Sequence, residues 1–98
     1  MDTALTSQAW IGDAVLTLYA RLKILRDDSA VDGEKCKRLT SNQFLGNFGE
    51  PTKTEAEIGR IYQREGLDAA FHWIERNFLP LFEKQEQNRG RKRSSRRQ

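Results

Sequence analysis

The chain has 98 residues, of which 37% are hydrophobic, and a single domain of this size buries only about 60 to 65% of the surface that the unfolded chain exposes. No apolar run approaches the roughly 20 residues that span a bilayer, and the N-terminus lacks the regions of a signal peptide, so we expect a soluble cytoplasmic protein without a membrane partner. The single cysteine, Cys36, excludes an internal disulfide and has no metal-ligand spacing around it.

The net charge of +3 is unevenly distributed along the chain. Residues 84–98 carry seven Lys and Arg against one Glu, a net of +6, which leaves −3 for residues 1–83. Because residues 84–98 contain no apolar side chain, they predict a disordered tail after a domain that ends at residue 83. A basic tail favours a polyanion such as nucleic acid as partner, and a tail that only keeps the chain in solution is the alternative.

Apolar spacing predicts helices along the whole body. The first spans residues 3–25, and a less regular second one spans residues 29–46 after a polar loop. A third begins at Pro51, because proline suits a first helical turn, and ends at Gly66. The fourth begins at Leu67 and ends near Pro80 or shortly beyond. No alternating strand pattern appears, so we predict an all-α domain of about four helices.

One carboxylate on the first helix, Asp13, lies in a segment that is apolar on almost every side. Burying an ionised carboxylate without a partner costs several kcal/mol, so Asp13 implies a counter-charge, a metal ion or a water-lined groove. Asp13, Thr17 and Arg21 form a polar stripe at helical spacing, and Thr52 and Glu55 share a face of the third helix. Two helices that each present a carboxylate can hold Mg²⁺, but acidic side chains on helices are usually just solvated.

Three segments resemble the catalytic domain of the ribonuclease III family. Residues 10–16, Trp-Ile-Gly-Asp-Ala-Val-Leu, are similar to its signature motif. Residues 52–62, Thr-Lys-Thr-Glu-Ala-Glu-Ile-Gly-Arg-Ile-Tyr, with Glu-Gly-Leu-Asp-Ala-Ala at residues 65–70, resemble its second acidic motif. Residues 39–45, Leu-Thr-Ser-Asn-Gln-Phe-Leu, resemble the segment between them. The three occur in the family's order, and the quoted residues number 31 of 98.

Departures from the family pattern indicate which branch the chain resembles. Ala9 and Thr52 stand where the full-length family has acids, which is similar to the short Mini-ribonuclease III branch. Residues 47–50 replace one or two helices that normally precede the second acidic motif. Glu57 and Arg60 are polar where the family has an apolar and a small residue, so we expect them to face water where the covering element is missing.

The resemblance implies a Mg²⁺-dependent endoribonuclease, with Mn²⁺ as an alternative ion. It would cleave double-stranded RNA, such as structured or precursor ribosomal RNA, by water activated on the metal, leaving 5′-phosphate and 3′-hydroxyl ends. Asp13 and Glu55 would be the catalytic residues and metal ligands, with Gly12 and Thr52 beside them. The implied assembly is a homodimer with Trp10 and Ile11 at or beside its interface.

RNA would be recognised by duplex shape, through contacts to phosphates and 2′-hydroxyls. The candidate RNA-binding residues are Ser41, Asn42, Lys53, Arg60, Arg91, Lys92 and Arg93. For Ser41 and Asn42, a role in capping a helix and turning the chain is favoured over RNA contact. His72 lies away from both acidic motifs, so we interpret it as a surface or partly packed side chain.

Two other functions stay open. One is a catalytically silent ribonuclease III-like domain that binds structured RNA as a ribosomal or ribonucleoprotein component, which the two missing acids and the basic tail suit. The other is a helical adaptor whose motifs match by chance. Retention of both acids that the short branch keeps favours the enzyme.

Overall fold

Helices form nearly all of the described chain, which in this computed structural model comprises the backbone of residues 3–96 and the side chains of residues 3–90. They are α1 (Thr3–Asp28), α2 (Gly33–Thr40), the single turn α3 (Asn42–Leu45), α4 (Pro51–Glu65) and α5 (Leu67–Arg96), with a 3₁₀ turn at Gly46–Phe48. Residues 3–96 contain no strand, which confirms the all-α prediction. None of the described helices has the length and hydropathy to cross a membrane.

The predicted second helix is divided by two N-caps. The Asp32 carboxylate accepts a hydrogen bond from the Lys35 backbone N–H at 3.0 Å, and α2 begins there. The Ser41 hydroxyl accepts one from the Phe44 N–H at 3.1 Å, and α3 begins there. Both capping residues have extended backbone, as N-caps usually do, so each one interrupts the preceding helical path.

α4 begins and ends as predicted, whereas α5 does not end near Pro80. Gly66 ends α4 with a φ of 99°, a conformation that favours glycine. Pro80 lies inside α5, which continues to Arg96. The residues after Pro80 are held to the body, because Phe82 is 2% exposed and Glu86 accepts two hydrogen bonds from the Arg38 guanidinium, at 2.8 and 3.0 Å.

The predicted boundary between domain and tail, after residue 83, therefore lies within α5. Residues 84–96 are helical here, where the sequence predicted disorder. Lys, Glu, Gln and Arg are good helix formers, so polarity alone does not end a helix that is already anchored by packing. The remaining tail residues 97 and 98 lie outside the described part of the chain.

The core lies between α1, α4 and α5, with α2 and α3 closing one end. Its largest fully buried side chains are Leu16, Leu39, Leu45, Ile58, Ile74, Phe78 and Phe82. The aromatic side chains of α5 pack as predicted: the Phe71 ring lies 5.2 Å from that of Tyr19, and the Trp73 ring lies 5.4 Å from that of Phe78.

One face of α1 is apolar and yet is exposed in the part of the chain that the structure describes. We call it the α1 apolar stripe, and its five exposed residues are Trp10, Ala14, Leu18, Leu22 and Leu25. Trp10 is 79% exposed, and the three leucines are 43 to 49% exposed. The apolar character of α1 on nearly every side therefore does not mean burial on every side.

Candidate functional site

Two glycines bring the backbones of α1 and α4 into direct contact. A Cβ placed on Gly12 would lie 1.7 Å from the backbone oxygen of Glu55, and one on Gly59 would lie 2.0 Å from the backbone oxygen of Gln8. Only glycine permits either approach. Because Asp13 follows Gly12 and Glu55 supplies the opposing carbonyl, this crossing places the two carboxylates next to each other.

The carboxylates face a cleft of about 540 Å³ between the N-terminal halves of α1 and α4. Its lining residues are Thr6, Ser7, Ala9, Trp10, Asp13, Thr52 and Glu55. Volume does not single this cleft out, since the groove between α1 and α2 is about 510 Å³. That groove contains one acid, Asp32, which is engaged as the N-cap of α2. The hydrogen bond between the carboxyl groups of Asp13 and Glu55 distinguishes the first cleft.

Of the two carboxylates, Glu55 is the one that is partly buried. Asp13 is exposed to the cleft, whereas Glu55 is half-buried against α1. Burial, together with a hydrogen bond and charge repulsion from Asp13, raises the pKa of Glu55 from its usual 4.5 to about 7. Because Asp13 lies in an apolar segment of the sequence, we expected its carboxylate to be costly to bury. This expectation is wrong, because Asp13 lies at the margin of the exposed face of α1.

The donor set suits a hard divalent cation. Mg²⁺ binds through one or two carboxylates and keeps several waters, and two adjacent carboxylates in an open cleft meet that requirement. No group of three or more His, Cys, Asp or Glu side chains is arranged for a metal ion within residues 3–90. The cleft therefore offers two carboxylates with Thr52 beside them, and its remaining ligands would be water.

The raised pKa of Glu55 gives a prediction for stability. The folded state holds a proton on Glu55 up to about pH 7, and the unfolded state releases it near pH 4.5. Stability is therefore lost as the pH rises through this window. Glu55→Gln removes the titration and should stabilise the protein at pH 8 relative to wild type by on the order of 1 kcal/mol, after screening by solvent, or about 4–8 °C in Tm.

At pH 4 the difference between the two proteins should be smaller, because both then carry a neutral side chain at position 55. Thermal unfolding by circular dichroism across pH 4 to 8 measures this difference. The matched control is Glu65→Gln, an exposed position on the same helix outside the cleft. A Tm difference that stays constant with pH would contradict the assignment of Glu55 as the titrating group.

Most of the candidate RNA-binding residues lie outside the cleft. Ser41 is half-buried and caps α3, and Asn42 is exposed beside it. Lys53 is 70% exposed and lies 3.9 Å from Glu50. Arg60 is half-buried and its guanidinium pairs with Glu57, so neither side chain is in the core. The side chains of the other three, Arg91, Lys92 and Arg93, lie outside those that the structure describes.

Trp10 lines the cleft and is also the most exposed large side chain of the α1 apolar stripe, while Ile11 is half-buried against the core. His72 is exposed on α5, as interpreted from the sequence. Cys36 is a half-buried free thiol in the groove between α1 and α2.

Three contributors to the site were not predicted. Thr6 and Ser7 line the cleft, and Thr6 precedes Asp13 by seven residues, a spacing that places both on one helical face. Gly59 forms the second half of the backbone crossing, and it follows Glu55 by four residues. Helical spacing from the two carboxylates was therefore a usable signal for Thr6 and Gly59.

Comparison of the chain with models of protein families, with curated proteins and with solved structures gives no match. The resemblance to ribonuclease III therefore depends on the residues of the three sequence segments alone.

Proposed function

We propose that the chain is a divalent-metal-dependent endoribonuclease of double-stranded RNA that acts as a homodimer. The observation that carries the proposal is the cleft in which Asp13 and Glu55 meet at the Gly12–Gly59 crossing. A pair of carboxylates that repel each other, one of them half-buried, is stabilised when a cation shares them. Binding Mg²⁺ or Mn²⁺ there is the simplest chemistry for this arrangement.

Asp13 and Glu55 are the residues that would hold the ion. When bound, a divalent cation neutralises charge on a phosphodiester and acidifies water beside it. Glu55 must be ionised to contribute as a ligand, so binding is favoured at or above pH 7, where its pKa lies. Ser7 and Thr52 add exposed hydroxyl groups to the cleft, and these are suited to hydrogen bonds with phosphate oxygens.

The α1 apolar stripe supports the homodimer. Residues 10, 14, 18 and 22 follow one another at four-residue spacing, and Leu25 continues the series. An antiparallel α1 from a second copy, with a two-fold axis near Leu18, would cover the whole stripe. Trp10 of one copy would then meet the groove between α1 and α2 of the other, which Leu25 and Val31 line. Val31 is 88% exposed in a single copy.

The negative net charge of residues 1–83 would restrict RNA binding to a few basic sites. The net charge of residues 1–83 is −3. Several cations of the described chain are held in ion pairs, namely the buried Lys23 and the more exposed Arg26, Lys35, Arg38 and Arg60. The basic residues at the end of α5 are therefore the main source of attraction for phosphates.

The proposed function is tested by incubating end-labelled duplex RNA with the full chain and Mg²⁺. The expected products are short duplexes with 5′-phosphate and 3′-hydroxyl ends, and single-stranded RNA of the same sequence should be cut more slowly. EDTA should abolish cleavage. Duplex binding without any cleavage, at Mg²⁺ or Mn²⁺ concentrations up to about 10 mM, would instead support the catalytically silent RNA-binding domain.

A further inference from the structure

Arg21 is an exposed cation on α1 that has no charged partner among the described side chains of its own chain. It forms no ion pair and no hydrogen bond with any side chain between residues 3 and 90. It shares a helical stripe with Asp13 and Thr17, but eight residues separate it from Asp13, which is about 12 Å along the axis. Within a single copy, Arg21 therefore cannot reach the cleft carboxylates.

The two charged residues of the polar stripe are equally spaced on either side of Thr17. Asp13 lies four residues before Thr17, and Arg21 lies four residues after it. The neighbouring apolar stripe is centred near Leu18, so one axis serves both stripes. In such a dimer the two-fold axis lies in the plane between the two α1 helices and is perpendicular to both of them. This symmetry places the polar stripes of both copies on the same side of the interface. Asp13 of one copy then lies opposite Arg21 of the second copy.

We propose that Arg21 of a second copy completes the Asp13–Glu55 cleft and binds the RNA phosphate there. This inference rests on the homodimer of the proposed function. Each cleft then contains two carboxylates from one chain and a guanidinium from the other. Without RNA, the guanidinium is the counter-charge of Asp13. With RNA, its planar fork binds two phosphate oxygens, a geometry that lysine does not provide.

Charge complementarity selects the second copy as the occupant of this face. An apolar partner would cover the stripe, but it would leave Asp13 without a counter-charge and Arg21 without an acidic partner. A second α1 in antiparallel orientation satisfies the apolar stripe and both charges at once, twice per dimer. Opposite charges across an interface also fix its register.

Mixed dimers test whether Arg21 acts across the interface. Arg21→Ala should cleave duplex RNA at least about 10-fold more slowly than wild type, and Asp13→Asn at least about 100-fold more slowly. Their equimolar mixture should regain about a quarter of wild-type activity, because half of the dimers are mixed and one cleft in each contains all three groups. If Arg21 acted within its own chain, no cleft in the mixture would be complete. A mixture no more active than its components, or full activity of Arg21→Ala, would overturn the proposal.

A second measurement does not depend on cleavage. Asp13→Arg and Arg21→Asp should each weaken self-association about 10-fold or more in sedimentation equilibrium, and the double variant should restore it to within about threefold. The matched control is Arg64→Asp, an exposed position on α4. If wild type fails to cleave RNA and the double variant still restores association, the proposed function fails and the Arg21 contact stands. Absence of restoration overturns the contact.

Discussion

Replacing Gly12 by alanine should unfold the protein or lower its Tm by more than about 10 °C, equivalent to roughly 2 kcal/mol or more. The added Cβ would lie 1.7 Å from the Glu55 oxygen and 2.9 Å from the Gly59 nitrogen. Both are backbone atoms that no side-chain rotation can move, so α1 and α4 must separate. The separation loosens the crossing that also sets the distance between the two carboxylates.

Gly59→Ala should have an effect of the same order, because its Cβ would lie 2.0 Å from the Gln8 oxygen. The matched control is Gly90→Ala on α5, where nothing lies within 4 Å of the added atom. That variant should be neutral or slightly stabilising, since alanine is the better helix former by about 1 kcal/mol. Equal Tm values for Gly12→Ala and Gly90→Ala, measured by thermal unfolding, would show that the two helices do not touch in solution as they do here.

Asp13→Asn and Glu55→Gln should each reduce the cleavage of duplex RNA at least about 100-fold while leaving the fold intact. Each substitution keeps the size of the side chain and removes one of the two carboxylates that line the cleft and that would hold the proposed ion. Thr52→Val should cost less, because its hydroxyl lies beside the carboxylates and is not one of the charged pair. The initial rates at saturating Mg²⁺ and at pH 8 measure these effects.

Asp68→Asn serves as the matched control for these variants, because Asp68 is exposed at the start of α5 and does not line the cleft. Its cleavage rate should be that of wild type. Full activity of Glu55→Gln would remove this residue from the site, and equal losses in Asp68→Asn would indicate that general charge, rather than the cleft, controls the rate.

The helical signals that depend on local chemistry were predictable from the sequence. Pro51 and Gly66 mark the two ends of α4 because their backbone preferences act whatever surrounds them. The pairing of Asp13 with Glu55 was expected from ordered motifs and is present in the cleft. The length of α5 was not predictable, because Phe82 and Glu86 hold it to the body through contacts with distant residues.

The burial of the two carboxylates also could not be read from the sequence. Asp13 lies among apolar residues in the chain, but the stripe beside it is exposed. Glu55 lies among polar residues in the chain, yet the approach of α1 half-buries it. Residues that are adjacent in the sequence lie on different sides of a helix, whereas burial depends on which side another helix contacts.

The most direct test of the two-carboxylate site is the effect of Mg²⁺ on thermal stability at pH 8, where Glu55 is ionised. Titration of the wild-type protein at constant ionic strength should raise its Tm with an affinity in the millimolar range. At about ten times the dissociation constant, the stabilisation is about 1.4 kcal/mol, or roughly 6–11 °C. Asp13→Asn and Glu55→Gln should lose this rise, and Asp68→Asn should keep it. An equal rise in all four proteins, or none in wild type, would contradict a cation site formed by Asp13 and Glu55.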